Sequence, residues 1–349
     1  MAKGMRILPA LLIPAVIAGG VWLAGNAYVK KQEETFASYE ATMPETELKA
    51  VLAKLNQKDY SGMYEETMKI SPSMDSEENY LARLQEIFAD RDVTAMKTEV
   101  ISETDTQREY RLIDGDTLLG NLLLVKEGDA WQPAMVLHGS QSYTVEVPSG
   151  LELKILGRPV GKEYCIETGK EAANFFQVTD PSVIPFVDIY EFKDLLGAPA
   201  LNAEEGYSMI RDVLSDHWLL GKTVTDEELK KELIHAAELI AMYPAMDTAL
   251  ANVTAVSDTS ATWYKKYVTL QNYWFTAHNK MDITNQHCEA VQQSDDTIVS
   301  HIYFDYFADN GEVNRTWHCG YQLTFRNIGG IWKVCGTELC SLLNPAQPH

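Results

Sequence analysis

The sequence predicts an α+β protein in which two domains, each with helices laid on an antiparallel sheet, are joined by a small β-rich connector and preceded by a transmembrane helix. Three observations carry this expectation. Segments of helical period followed by segments of period two occur in the same order twice along the chain. Each series closes on the same phrase, VKEGDAW at Val125–Trp131 and FRNIGGIW at Phe325–Trp332, an apolar run that turns at glycine and delivers a tryptophan. Finally, Ile7–Val29 carries no charge and is long enough to cross a hydrocarbon layer of about 30 Å at about 1.5 Å per residue.

The N-terminal part, 1–30, therefore reads as a cytoplasmic stub and a retained single-pass anchor, with the body extracytoplasmic. Gly25-Asn26-Ala27 also offers small residues for signal-peptide cleavage, the competing reading. In domain 1, 40–140, Leu48, Val51, Leu52 and Leu55 share a helical face, a second helix fits Tyr60–Ile70, and Tyr80, Leu81, Leu84 and Ile87 define a third. From Val93 the pattern changes to four strands, with turns at Asp114-Gly115 and Gly128. The segment 141–200 alternates at period two around Pro148-Ser149-Gly150 and again at Ile184–Phe192, as a β-rich connector. Domain 2, 201–345, opens with a helix over Asp226–Met242 and an aromatic helix over Thr262–His278. Strands follow at Asn285–Gln293, Thr297–Ala308, Val313–Asn327 and Ile331–Leu339.

The chain has 349 residues, which suits two or three domains. Its 50 acidic and 29 basic residues give a net charge of −21, with no basic block, so nucleic acid is excluded as an expected partner. The membrane and an unidentified envelope protein or wall component are the expected partners. Cys165 stands alone, whereas Cys288, Cys319, Cys335 and Cys340 crowd the C-terminal strands. If Gly329-Gly330 is a two-residue turn, Cys319 falls opposite Cys340, and a disulfide is expected there against the alternative of free buried thiols.

Particular residues also carry a resemblance. Asp59-Tyr60, Met63-Tyr64, the helix start Ser76-Glu77-Glu78 and the strand after Val93 resemble the N-terminal module of low-affinity penicillin-binding transpeptidases, which has the nuclear-transport-factor-2-like (NTF2-like) fold. The aromatic helix, FDYFADNGEVNRTWHCGYQLTF and GGIWKV are similar to NTF2-like domains of anchored Gram-positive surface proteins, and SYTVEVPSGLELKILGRPVGKEY resembles the small β modules between such domains. The resemblance implies two cone-shaped domains, each with helices on a curved sheet, and it brings no catalytic residues. No serine is followed three positions later by lysine and no KTG element occurs, so the transpeptidase machinery itself is missing.

Other chemistry is sparse. LLGKT at Leu219–Thr223 superficially suggests a phosphate loop, but Asp216 stands where its first glycine belongs, and a loop is expected there. HExxH, GxSxG and CxxC are missing, so no cofactor, metal or catalytic residue is assigned. Taking Asn310-Gly311 as a two-residue turn places Tyr303 opposite His318 and gathers His301, Asp305 and Gln322 on the same face. That face could bind a metal or move protons, but it reads first as the solvated side of the sheet. The reverse face, Ile302, Phe304, Tyr306, Trp317, Cys319, Tyr321, Leu323 and Phe325, is the expected buried one. In a cone-shaped fold Tyr306, Trp317 and Tyr321, with Tyr264, Tyr267 and Trp274 of the aromatic helix, either line a ligand pocket or fill the cone as core.

The function expected from the sequence is thus an anchored, noncatalytic binding or scaffold protein of the bacterial cell envelope. A component of a conjugation or secretion channel and a small-ligand receptor or enzyme using the C-terminal cone are the alternatives.

Overall fold

A computed structural model describes residues 29–32, 43–198, 205–270 and 277–347. The expected anchor falls almost wholly on residues 1–28, outside the described ones; among the described residues no helix is long and apolar enough to cross a membrane. The chain divides into two compact units, Met1–Ser73 with Glu77–His138, and Met74–Ser76 with Gly139–His349. Both are mixed α+β, with helices against curled, mainly antiparallel sheets.

In the first unit the helices are α1 (Pro44–Asn56), α2 (Met63–Ile70) and α3 (Glu77–Phe88). The sheet is β1 (Lys97–Glu103), β2 (Gln107–Asp114), β3 (Thr117–Glu127) and β4 (Ala130–Val136), paired in sequence order. The helical faces bury Val51, Leu55, Leu84 and Phe88, and the strands bury Leu112, Leu122 and Leu124, all at 2% exposure or less. A polar relay locks helices to sheet. Met135 N donates to Thr67 Oγ1 at 2.9 Å, the Thr67 hydroxyl meets Tyr80 Oη at 3.0 Å, and Tyr80 Oη donates to Met135 O at 2.8 Å. With β4's backbone as both first donor and last acceptor, each buried hydroxyl is satisfied, and burial raises the Tyr80 phenol's pKa.

The second unit holds β5 (Gln141–Pro148), the short pair β6 (Lys154–Ile155) and β7 (Arg158–Pro159), β8 (Cys165–Glu171), β9 (Phe186–Leu195), β10 (Tyr207–Arg211) and β11 (Trp218–Thr223). Helices α4 (Glu227–Ala245), α5 (Leu250–Val256) and α6 (Thr262–Tyr267) follow, then β12 (Lys280–Ser294), β13 (Thr297–Asp309), β14 (Asn314–Ile328) and β15 (Ile331–Leu339). One sheet runs β15-β14-β13-β12-β11-β5-β9-β8, with β10 on β11. The strands expected in the connector therefore continue into the C-terminal strands, through the parallel pairs Trp218–Val145 and Leu219–Glu146. LLGKT is not the expected loop but most of strand β11, with Leu219 and Leu220 buried. The aromatic helix ends at Tyr267, short of its expected limit, and residues 271–276, including Trp274, lie outside the described ones.

Asp226 caps α4 by accepting from Glu228 N and Leu229 N. At its other end Met246 takes φ +69° and Asp247 N donates to Met242 O at 3.0 Å, the 6→1 closure that ends a helix cleanly. Leu233, Ala236, Ala237 and Ile240 of α4 pack with Phe304, Tyr306, Leu323 and Phe325 in one core. Both glycine turns close their expected hairpins. Gly128, and the pair Gly329-Gly330, adopt the positive φ that tight turns of this hand require.

Candidate functional site

The face of β13 and β14 that gathers histidine, tyrosine and carboxylate in the sequence exists, with a shifted register. β13 and β14 end at Asp309 and Asn314, so the turn is longer than two residues and the pairing moves by two. Asp305 faces His318, Tyr303 faces Gly320 and His301 faces Gln322. A shift of two returns every side chain to the same side, which is why the grouping survives the wrong register.

The face is largely covered rather than solvated, although the His318 side chain stays 30% exposed. His301, Asp305 and Gln322 are 9%, 7% and 2% exposed. Three distant segments cover it, and each is tied down by polar side chains. Asn174, in the turn at Ala173–Phe175, accepts at its carbonyl from Thr324 Oγ1. From the β10–β11 loop, Asp212 Oδ1 accepts from Gln322 Nε2 at 2.5 Å and Val213 N donates to Gln322 Oε1 at 3.0 Å. This fixes the amide orientation, so Gln322 Oε1 can only accept from His301 Nε2, 3.2 Å away. The C-terminal turn supplies Asn344, whose Nδ2 donates to Asp305 Oδ1 at 3.2 Å and to Phe304 O at 3.1 Å.

Asp305 is thus enclosed by donors. His318 Nδ1 donates to Oδ1 at 2.6 Å and Asn285 Nδ2 to Oδ2 at 2.6 Å, beside Asn344. Burial by itself would raise the carboxyl's pKa, but the three donors outweigh it and hold the group below the usual range. His301 moves the other way: burial disfavours the imidazolium and lowers its pKa despite the hydrogen bond to Gln322. A related pair joins β5 to the same covering loop, where Glu146, 2% exposed, meets His217 Nδ1 at 2.8 Å. Burial raises the Glu146 carboxyl's pKa, against the pull of His217 and with a push from Asp212.

On the core face the expected pocket residues are mostly packed. Tyr306, Tyr321 and Tyr267 are 1%, 5% and 8% exposed, and Tyr264 and Trp317 are partly buried against the same core. Their polar atoms staple helices: Tyr267 Oη donates to Ile240 O, and Tyr264 Oη meets Thr254 Oγ1 at 2.6 Å. Tyr267 also borders a shallow cleft of about 240 Å³ with Phe176, Lys266 and Thr337. Trp274 lies outside the described residues.

One polar group on this side escapes the sequence reading. Tyr306 Oη donates to Asp247 Oδ2, and His278 Nε2 stands 2.8 Å from Oδ1 of the same carboxylate. Burial raises the Asp247 carboxyl's pKa and His278 opposes it. No motif could have joined Asp247 to Tyr306, because only the closure of α4 brings them together.

The expected disulfide is absent: Cys319 and Cys340 are both free thiols. The β14–β15 pairing starts as expected at Ile328–Ile331 and Phe325–Val334, but it shifts before Thr324–Gly336, leaving Cys335 as the extra residue of a bulge. Beyond the bulge every partner is displaced by one, so Cys340 N donates to Gly320 O and its side chain no longer faces Cys319. Among the described residues no set of three or more His, Cys, Asp or Glu is arranged to hold a metal ion.

No protein-family model matches this chain, and no curated protein matches it. Among solved structures, one match is an "Ntf2 like protein involved in plasmid conjugation", with 13% identity over 70% of this chain and 76% of that one, and a TM-score of 0.24.

Proposed function

We propose that this chain is a membrane-anchored, extracytoplasmic binding or scaffold protein of the bacterial envelope, built from two NTF2-like units and without catalytic activity. The observation that carries the noncatalytic part is the saturation of the polar face. Asp305 takes three side-chain donors and Gln322 is fixed by Asp212 and Val213, so the groups best suited to proton transfer are spent holding three covering segments. The anchored part rests on the uncharged run Ile7–Val29, and the envelope setting on the acidic body and the motifs that resemble surface-protein modules.

Carbonate extraction and external proteolysis of intact cells producing the full-length chain test this reading. Retention in the carbonate-resistant membrane with digestion of the body from outside is expected; release into the wash, or a protected body, overturns it. Cross-linking in the same membranes separates a monomeric binder from a ring-forming channel component.

One observation favours a second reading, a small-ligand site at the end of the C-terminal core. A carboxylate held between a tyrosine and a histidine, as Asp247 is, suits recognition of a polar ligand group. Ligand-induced chemical-shift changes at His278 that vanish in Asp247→Asn would support it.

A further inference from the structure

We propose that the free edge of β12 at Gln286–Ala290 is a docking site for an extended, basic peptide segment of another protein, which adds to it as a short strand. This deepens the binding reading above by naming the surface and the partner's chemistry, and it rests on that reading only for the chain's role as a binder.

Among the described residues no strand pairs with this stretch of the edge, because β11 leaves it early; Cys288 and Ala290 are themselves 7% and 4% exposed, at the wall of the adjoining cleft. β11 pairs with β12 only at Lys222–Gln292 and Thr223–Val291, and Val224 N donates to Ala290 O at 3.0 Å before the chain turns into α4. Backbone groups of an antiparallel strand alternate between its two edges, so Cys288, two residues before Ala290, directs its N–H and C=O to the same side. Among the described residues nothing bonds them there. Beside them lies a cleft of about 380 Å³ whose walls include Ser208 and Ile210 of β10, Val224, Lys230 and Glu289. An incoming strand would take the place β11 vacates and satisfy the donor and acceptor of Cys288, as strand addition does elsewhere.

Length and charge narrow the occupant. Asn285, at φ +56°, lies in a bulge between Thr284 and His287 that interrupts the regular ladder, so the regular stretch of edge spans a few residues. Such a bulge also guards the rest of β12 against indiscriminate pairing. Lys230, 26% exposed at its side chain, is held by Glu227 at 2.9 Å, whereas Glu289, 65% exposed, has only the longer 3.4 Å contact with His287 and is the more accessible charge beside the cleft. A net charge of −21 attracts a basic segment and repels a second copy of the same chain.

The test is to pan the full-length chain, in detergent, against a random nonapeptide phage library, with Glu289→Lys as the parallel target. Enriched peptides should be rich in Lys and Arg, slow amide exchange at Cys288 on binding, and bind Glu289→Lys at least tenfold more weakly. No enrichment over an unrelated acidic protein, bound peptides that leave Cys288 exchange unchanged, or dimerisation of the free chain through this edge would each overturn the proposal. Exchange at Cys288 reads the edge alone, whereas carbonate extraction reads the anchor, so the two ideas fail separately.

Discussion

Asp305 and His318 face each other across β13 and β14, with Nδ1 2.6 Å from Oδ1, and Asn285 and Asn344 complete the shell around the carboxylate. Because the folded pKa of Asp305 lies below its ordinary value, the unfolded chain binds the proton more readily. Its contribution to stability is therefore complete above about pH 4 and is lost as pH falls through the lower, folded value. Asp305→Asn keeps the size but presents an amide group to at least one donor. A loss of about 1–3 kcal/mol is expected, seen as a lower urea midpoint at pH 7, with the difference from the parent shrinking at pH 3.

His301 and Gln322 predict a dependence on pH in a different window. The folded pKa of His301 is lowered by burial, so the unfolded state takes up a proton first as pH falls. Stability is complete above about pH 6.5 and declines as pH drops through that value toward the folded one. Gln322→Leu, at a site 2% exposed, strands Asp212 and His301 together and should cost more than a typical surface change, about 1–3 kcal/mol. Thermal melts at pH 7.5 and 5.5 check both statements, read in a Glu146→Gln background because Glu146, with its raised pKa, acts in the opposite sense and would offset His301: equal stability at the two values in that background would contradict the assignment to His301.

How far the sequence reaches depends on the range of each contact. The helical faces of Val51, Leu55 and Leu84 are local periodicities, and they appear in the fold as read, whereas β13 is a strand as read but is buried on both faces. The polar grouping of His301, Asp305, His318 and Gln322 survives because a two-residue error in register preserves the face. The cysteine pairing fails because the single extra residue at Cys335 does not. The burial of that polar face is illegible for another reason: its covers come from Asn174, Asp212 and Asn344, which are 150, 110 and 39 positions from the residues they hold, and nothing in β13 or β14 announces them. Asp247 and His278 are missed likewise: Asp247 lies beyond the helix read from the sequence, and His278 falls at the expected end of an aromatic helix that stops at Tyr267.

The bulge at Cys335 makes a chemical prediction. All five thiols are free, but Cys288, Cys319 and Cys335 are buried, and burial pushes the Cys288 and Cys319 thiols up to about 12. Thiolate is the reactive form, so native alkylation at pH 8 should modify Cys165 and Cys340 well before the other three. Denaturation without reductant should then expose all five. Intact-mass spectrometry decides it, and a denatured, unreduced chain with two thiols refusing label would restore the Cys319–Cys340 bridge.

Asp247 supplies a contrast with Asp305. It too is bound by a ring nitrogen and a second donor, Tyr306 Oη, yet burial keeps its folded pKa raised. Raised acid groups act with the reverse sign: the folded state holds the proton more tightly, so the contribution is present below about pH 4 and is lost as pH rises through the folded value. Ionised Asp247 is therefore a mild burden at neutral pH. In Asp247→Asn the amide oxygen can still accept from Tyr306 and the amide nitrogen can donate to a neutral His278, so the change should cost under about 1 kcal/mol. Tyr306→Phe removes the donor and leaves the carboxylate with less compensation at a residue 1% exposed, which should cost more than Asp247→Asn. Urea midpoints for Asp247→Asn, Asp305→Asn and Tyr306→Phe at pH 7 test the ordering. If Asp247→Asn were the most damaging of the three, the carboxylate would be a structural anchor of the kind Asp305 is, and the ligand-site reading of Asp247 would lose its basis.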